Sequence, residues 1–247
     1  MKSYALLSVA AVCLSVPCRS ALGAEQAEHN YAKWEKEIAA FERADAVTPP
    51  PKGALLFIGS STIRLWATLA QDFPQHPVIN RGFGGSQIVD ATRFAPRIIF
   101  PYAPRAIYLR SGGNDLWAGK SAEQVFADFK EFVATVHAKL PDTDIIFISL
   151  SPSIARWKQA DMTKDLNARV ADYIKGKARL RYIETYDIAL GPDGQPRPEL
   201  FAKDKLHFSA EGYKLLAARV RADLPKPSPS NNGPQSIGVK AAPQPER

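Results

Sequence analysis

The stretch ALLFIGSSTIRLW, Ala54 to Trp66, decides how this chain is read. It begins as an unbroken apolar run, then breaks at Gly59 into two adjacent serines, Ser60 and Ser61, ahead of a segment with helical spacing. An apolar run of this length fits a strand buried on both faces, and such strands belong to parallel sheets covered by helices. A serine at the strand-to-helix junction can cap the helix. It can also be a nucleophile, because ligands in open α/β sheets sit at the carboxyl ends of the strands. Local chemistry alone leaves Ser60 and Ser61 even.

The same alternation recurs along the chain. ALLFIG, VIN, AIYLR, DIIFISL and RYIET are the strand candidates. Helical spacing fits STIRLWATLA, SQIVDATRFAPRII, SAEQVFADFKEFVATVHAKL, DMTKDLNARVADYIKGK and SAEGYKLLAARVRADL. Parallel neighbours need crossover connections, so strands alternating with helices predict an α/β fold. The expectation is a single-domain three-layer α/β/α sandwich with a mostly parallel sheet of about five strands. Ahead of the first strand, Tyr31, Trp34, Ile38 and Phe41 mark one face of an amphipathic helix that VTPPPKG then stops.

Both ends differ from this pattern. Lys2, the short apolar run YALLSVAAVCLSV and the small residues of SALGAEQ read as a secretory signal cut after Gly23 or Ala24. The tail from Pro225 is rich in proline, serine and asparagine and too poor in large apolar residues to offset the cost of ordering. The expected organisation is therefore signal 1–24, helix and connector 25–52, α/β domain 53–224 and disordered tail 225–247. Export to the periplasm or the medium follows from the signal, with no stable membrane insertion once it is removed.

Composition narrows the chemistry. Hydrophobic residues at 45% and charged residues at 23% of 247 describe an ordinary globular protein. Cys13 and Cys18 both fall inside the signal, which excludes disulfides and cysteine nucleophiles from the mature chain. The signal also carries two basic residues and no acid, so its removal takes the net charge of +7 down by two. The remaining basic excess is spread over many segments with no interleaved aromatics, so a nucleic-acid partner is not expected. No helical HExxH or comparable ligand cluster is present, and neither a metal nor any other cofactor is expected.

Polar clusters follow the strand candidates: FIGSST, NRGFGGSQ and RSGGNDLW, with DKLHFSAEGY just before the last helix. Asp204 and His207 are three apart, so one turn of chain can bring the carboxylate against one imidazole nitrogen. The other nitrogen is then free to take a proton from a serine. The GxSxG elbow of α/β-hydrolases is absent, so a different serine scaffold is needed. Trp66, Phe83, Trp117 and Trp157 lie near these blocks, where aromatics either stack on a substrate or pack the core.

The order GSS, NRGFGG, GGND, DKLH resembles the SGNH hydrolase superfamily, the GDSL esterases and lipases, and in particular secreted bacterial members with a Trp-containing helix ahead of the first block. The resemblance implies that Ser61 is the nucleophile, with Ser60 standing where the family writes aspartate. It implies Asp204 and His207 as acid and base. The oxyanion hole it implies is the backbone N–H of Ser61 and Gly85 with the side chain of Asn114. The expected activity is hydrolysis of a small-molecule or glycan ester through an acyl-enzyme, such as carbohydrate O-deacetylation or short-chain esterase action. Lysophospholipase or thioesterase activity, or a catalytically weak module that binds acylated glycans, are the alternatives. The oligomeric state is left open.

Overall fold

Five apolar runs become five short strands: β1 (Leu55–Gly59), β2 (Val78–Gly82), β3 (Ala106–Arg110), β4 (Asp144–Ile148) and β5 (Leu180–Ile183). A computed structural model describes residues 29–224, and the segments expected as signal and tail lie outside them. The chain divides at Asn30, and the unit beginning at Tyr31 carries the entire sheet. The strands stand in the order β2-β1-β3-β4-β5, and every pairing is parallel. This is the three-layer α/β architecture read from the alternation of strands and helices.

Alternate residues of each strand feed two cores, as the period of two requires. Leu56, Ile58, Ile107, Leu109, Ile145 and Phe147 face one side. There they meet α1 (Glu35–Val47), α4 (Ile88–Ile98), α6 (Ala122–Lys139) and α7 (Ala160–Ile174). Leu55, Phe57, Tyr108, Ile146 and Ile148 face the other, against α8 (Ala210–Asp223) and the segment after β1. Helix α6 starts on a reciprocal capping box between Ser121 and Gln124, which satisfies two N-terminal donors at once.

The expected helix over STIRLWATLA is instead two single turns, α2 (Ser61–Arg64) and α3 (Leu69–Asp72). Between them Trp66 turns into the core, edge-on to Phe57 and Phe73 with ring centroids 5.7 Å away in both cases. Its indole N–H donates to Asp72 Oδ2 at 2.7 Å. Burying an indole with its N–H satisfied outweighs the small gain from propagating so short a helix. One further helix, α5 (Gly113–Trp117), has no signal in the hydrophobic period.

The chain lays β2 on one side of β1 and then crosses back to place β3 on the other. Strand order reverses there, and the crevice outside the carboxyl ends of β1 and β3 is where such sheets bind ligands. At that edge Gly59 has φ +147°, and a Cβ on it would fall 2.1 Å from the Arg110 carbonyl oxygen. Only glycine lets the chain leave β1 so close to β3. Among the described residues no helix is long and apolar enough to cross a membrane.

Candidate active site

Leaving β1 at Gly59, the backbone extends at Ser60 and coils at once into α2, so Ser61 is the first helical residue. Its N–H is among the donors that a helix leaves without an internal acceptor. Two side chains hold the turn in place: Asn80 of β2 donates to the Ile63 carbonyl at 2.7 Å, and Tyr213 of α8 donates to the Thr62 carbonyl at 2.8 Å. Asn80 also accepts from the Gly82 N–H at 2.9 Å, tying the end of β2 to the same turn.

His207 arrives from the far end of the chain. After β5 the backbone passes through a 3-10 turn at Pro198–Leu200 and a bridge pairing Phe201 with Phe208, and Ser209 then caps α8. This fixes His207 over α2, with its Nε2 2.8 Å from Ser61 Oγ. Its Nδ1 lies 2.6 Å from Asp204 Oδ2. The other oxygen of Asp204 accepts the N–H groups of Leu206 and His207, each at 3.0 Å. Hydrogen bonding to the His207 side chain, and then to these backbone donors, holds the Asp204 carboxyl down to about 2. It is therefore an anion wherever the protein is folded near neutrality, and a donor N–H on Nδ1 leaves Nε2 as the acceptor facing Ser61. Of the two serines that the sequence leaves even, Ser61 makes the contact with His207. Ser60 lines the same cleft, its carbonyl accepting the Ile63 and Arg64 N–H groups.

Gly85 ends the GFGG loop after β2, with φ +77° and a Cβ position 3.1 Å from the Trp34 ring. Trp34, just ahead of α1, is buried and edge-on to Phe83 at 5.8 Å, so the N-terminal helical segment packs on the glycine loop. Asn114 lies in the first turn of α5, donating from Nδ2 to the Ser86 carbonyl at 2.9 Å. Ser61, Asn114 and His207 line one cleft.

Of the four aromatic residues near the blocks, Trp66 and Phe83 are core, 1% and 0% exposed. Their proximity in sequence to the serine and glycine blocks reflects packing beneath the site. Trp117 is 59% exposed at the end of α5, while Trp157 is half-buried.

Two arginines outside the GSS, NRGFGG, GGND and DKLH blocks also line the cleft. Arg110, which closes the otherwise apolar β3, is buried. It donates to the Ser149 carbonyl, to Thr185 Oγ1 at 2.9 Å and to Ser151 Oγ at 3.3 Å. Burial pulls its pKa down to about 10, and its guanidinium lies 5.7 Å from the centre of the Phe208 ring beside His207. Arg156, in the loop after β4, donates to Asn114 Oδ1 at 3.0 Å and to the Gly113 carbonyl at 3.2 Å. Among the described residues no group of three or more His, Cys, Asp or Glu side chains could hold a metal ion.

Residues 58–215 match the model of the GDSL-like Lipase/Acylhydrolase family. Solved structures share the fold. A Streptococcus pneumonia protein provisionally described as a platelet activating factor is 20% identical over 78% of this chain and 93% of its own, with a TM-score of 0.69. A GDSL-like lipase from Bacteroides thetaiotaomicron is 20% identical over 78% of this chain and 96% of its own, at 0.62. A catalytic mutant of an acetylxylan esterase from Geobacillus stearothermophilus is 16% identical over 70% and 94%, at 0.56. At such identities the likeness is one of fold. No curated protein is significantly similar to the chain in sequence.

Proposed function

The chain belongs to the GDSL-like lipase/acylhydrolase family, whose members are typically ester hydrolases, and on that footing we propose that it cleaves carboxylic esters through a Ser61–His207–Asp204 triad. The observation that carries this reading is the unbroken hydrogen-bond chain from Ser61 Oγ through both nitrogens of His207 to Asp204. His207 takes the Ser61 proton as the hydroxyl oxygen attacks the ester carbonyl. It then returns that proton to the leaving alcohol. Asp204 holds the ring orientation and stabilises the imidazolium that forms. Water, activated by the same imidazole, hydrolyses the acyl-enzyme and frees the acid.

Negative charge develops on the carbonyl oxygen, and we assign its stabilisation to the N–H groups of Ser61 and Gly85 and the side-chain amide of Asn114. One such donor is commonly worth about 3 to 4 kcal/mol of barrier. No step in this sequence needs a cofactor. Ser60, where the family motif has aspartate, leaves this division of labour untouched, because its backbone rather than its side chain shapes the turn.

For the substrate, the cleft favours a short or polar acyl group on a small-molecule or sugar alcohol. Arg110, Ser151, Ser153, Arg156 and Thr163 line it beside Leu150, Phe201, Leu206 and Phe208, a mixed wall that suits a short acyl group better than a long chain. Exposed Trp117, whose ring lies against the cleft residue Arg156, offers a flat apolar face of the kind sugar rings stack on. We also infer export, from the signal-like start of the chain, and a mature N-terminus near Ala24 or Glu25 by mass spectrometry tests it.

The direct test of the chemistry is a fluorophosphonate probe with peptide mapping, beside hydrolysis of aryl acetate and acetylated xylan. Label on Ser61 alone, lost together with turnover in Ser61→Ala and retained in Ser60→Ala, is the expected result. Label on Ser60, or full activity in Ser61→Ala, refutes the assignment.

A further inference from the structure

An oxyanion-hole amide works only if its N–H, and not its carbonyl, faces the developing charge. Asn114 has one acceptor oxygen and two N–H donors. The Ser86 carbonyl takes one donor and Arg156 Nη1 occupies the acceptor, which leaves one N–H uncommitted. A rotated amide would set its oxygen against the Ser86 carbonyl and its NH2 against a guanidinium, two repulsive contacts in place of two hydrogen bonds.

Arg156 is itself tightly placed. Besides Asn114 it donates to the Gly113 carbonyl, and its guanidinium lies over the Trp117 ring at 4.9 Å. Its backbone N–H donates to Ser153 Oγ at 3.3 Å. Asn114 and Trp117 are three apart in α5, so one helical face presents both the amide and the ring to this one side chain. Among the described residues no carboxylate comes within ion-pair distance of Arg156, and partial burial lowers its pKa. A desolvated, uncompensated cation fixed against the amide oxygen polarises the Asn114 N–H bonds toward a negative partner.

We propose that Arg156 is a positioning residue for ester hydrolysis, acting through Asn114 by fixing the orientation of its amide and strengthening the N–H that meets the oxyanion. This rests on the oxyanion role assigned to Asn114. The proposal gives the SPSIARW loop after β4 a part in the reaction that none of the four sequence blocks carries. It also gives Trp117 a part, since its ring lies against the guanidinium that fixes the amide.

The test is a double-mutant cycle read in kcat with a neutral aryl acetate. Asn114→Ala is expected to lower kcat on the order of a hundredfold. Arg156→Met should lower it roughly tenfold with KM changed less than about twofold, since a transition-state interaction is removed and ground-state binding is not. Arg156→Lys should recover part of the loss, keeping the charge without the planar fork. In the Asn114→Ala background, Arg156→Met should have no further effect, because the group it acts through is gone. Should Arg156→Met fail to fold, Arg156→Gln completes the same cycle. Losses that multiply in the double variant, or wild-type kcat in Arg156→Met, overturn the positioning role while leaving the oxyanion hole intact. Wild-type kcat in Asn114→Ala removes the oxyanion role itself, and the inference falls with it.

Discussion

Asp115, the residue after Asn114, should make the folded state lose stability as pH rises toward neutral. Its side chain is fully buried in α5, and Oδ1 accepts the Ile88 N–H at 3.0 Å while Oδ2 has no hydrogen-bond partner. Lys120 Nζ is 3.9 Å away, too far to offset the burial. Desolvation, opposed by the Ile88 hydrogen bond and Lys120, raises the carboxyl from 3.8 to about 6. An acid whose folded pKa lies above its unfolded one binds more protons folded than unfolded between those values, so stability falls as pH climbs through that window. The difference corresponds to on the order of 3 kcal/mol, fully lost above pH 6 or so. Asp115→Asn mimics the protonated form at every pH, with the same unpartnered polar atom at the Oδ2 position. Urea denaturation of both proteins from pH 4 to 7.5 should therefore give stabilities that diverge with rising pH, the variant gaining about 2.5 kcal/mol on the wild type across the range. Asp204, held low, acts in the opposite sense nearer pH 2 to 4 and cancels from this comparison. Curves that stay parallel would refute the burial argument.

Three other outcomes are expected from the geometry. Fluorophosphonate labelling of His207→Ala should be nearly abolished, because nothing then takes the Ser61 proton. Asp204→Asn should keep the fold and lose kcat by a factor on the order of a thousand to ten thousand, because the anion facing Nδ1 is gone; kcat within tenfold of wild type would deny it the orienting role. Gly85→Ala puts a side chain at φ +77° and 3.1 Å from the Trp34 ring, so a stability loss of about 1 to 2 kcal/mol should accompany a disproportionate fall in kcat, separable by thermal melting beside kinetics.

The sheet is legible in the sequence because its central strands β1, β3 and β4 are buried on both faces and so appear as short apolar runs, while the edge strands β2 and β5, only partly buried, leave shorter ones. Four scattered polar blocks, each explicable alone as a cap, a turn or a surface histidine, are grouped by the order in which they resemble the family's motifs. Trp66 misleads for a physical reason: Ile63, Trp66 and Leu69 keep helical spacing although the backbone turns between them to bury the indole. Arg110 does leave a trace, a lone charge ending an apolar strand. Arg156 leaves none. Its importance comes from a contact with Asn114 across 42 residues, and nothing in SPSIARW announces an arginine that meets an amide and an indole at once.

Ser61 and His207 are 146 positions apart, one leaving the first strand and the other preceding the last helix, and their contact spans nearly the whole described fold. A ribosome must deliver both residues before that contact can exist, so a chain that stops short of His207 lacks it however well its sheet has assembled. Under the proposed triad, ester turnover reads out the docking of that last segment. Recovery of hydrolysis after dilution from denaturant therefore requires the histidine loop and α8 to be docked, the same packing that sets the Trp66 ring 5.8 Å from Tyr213.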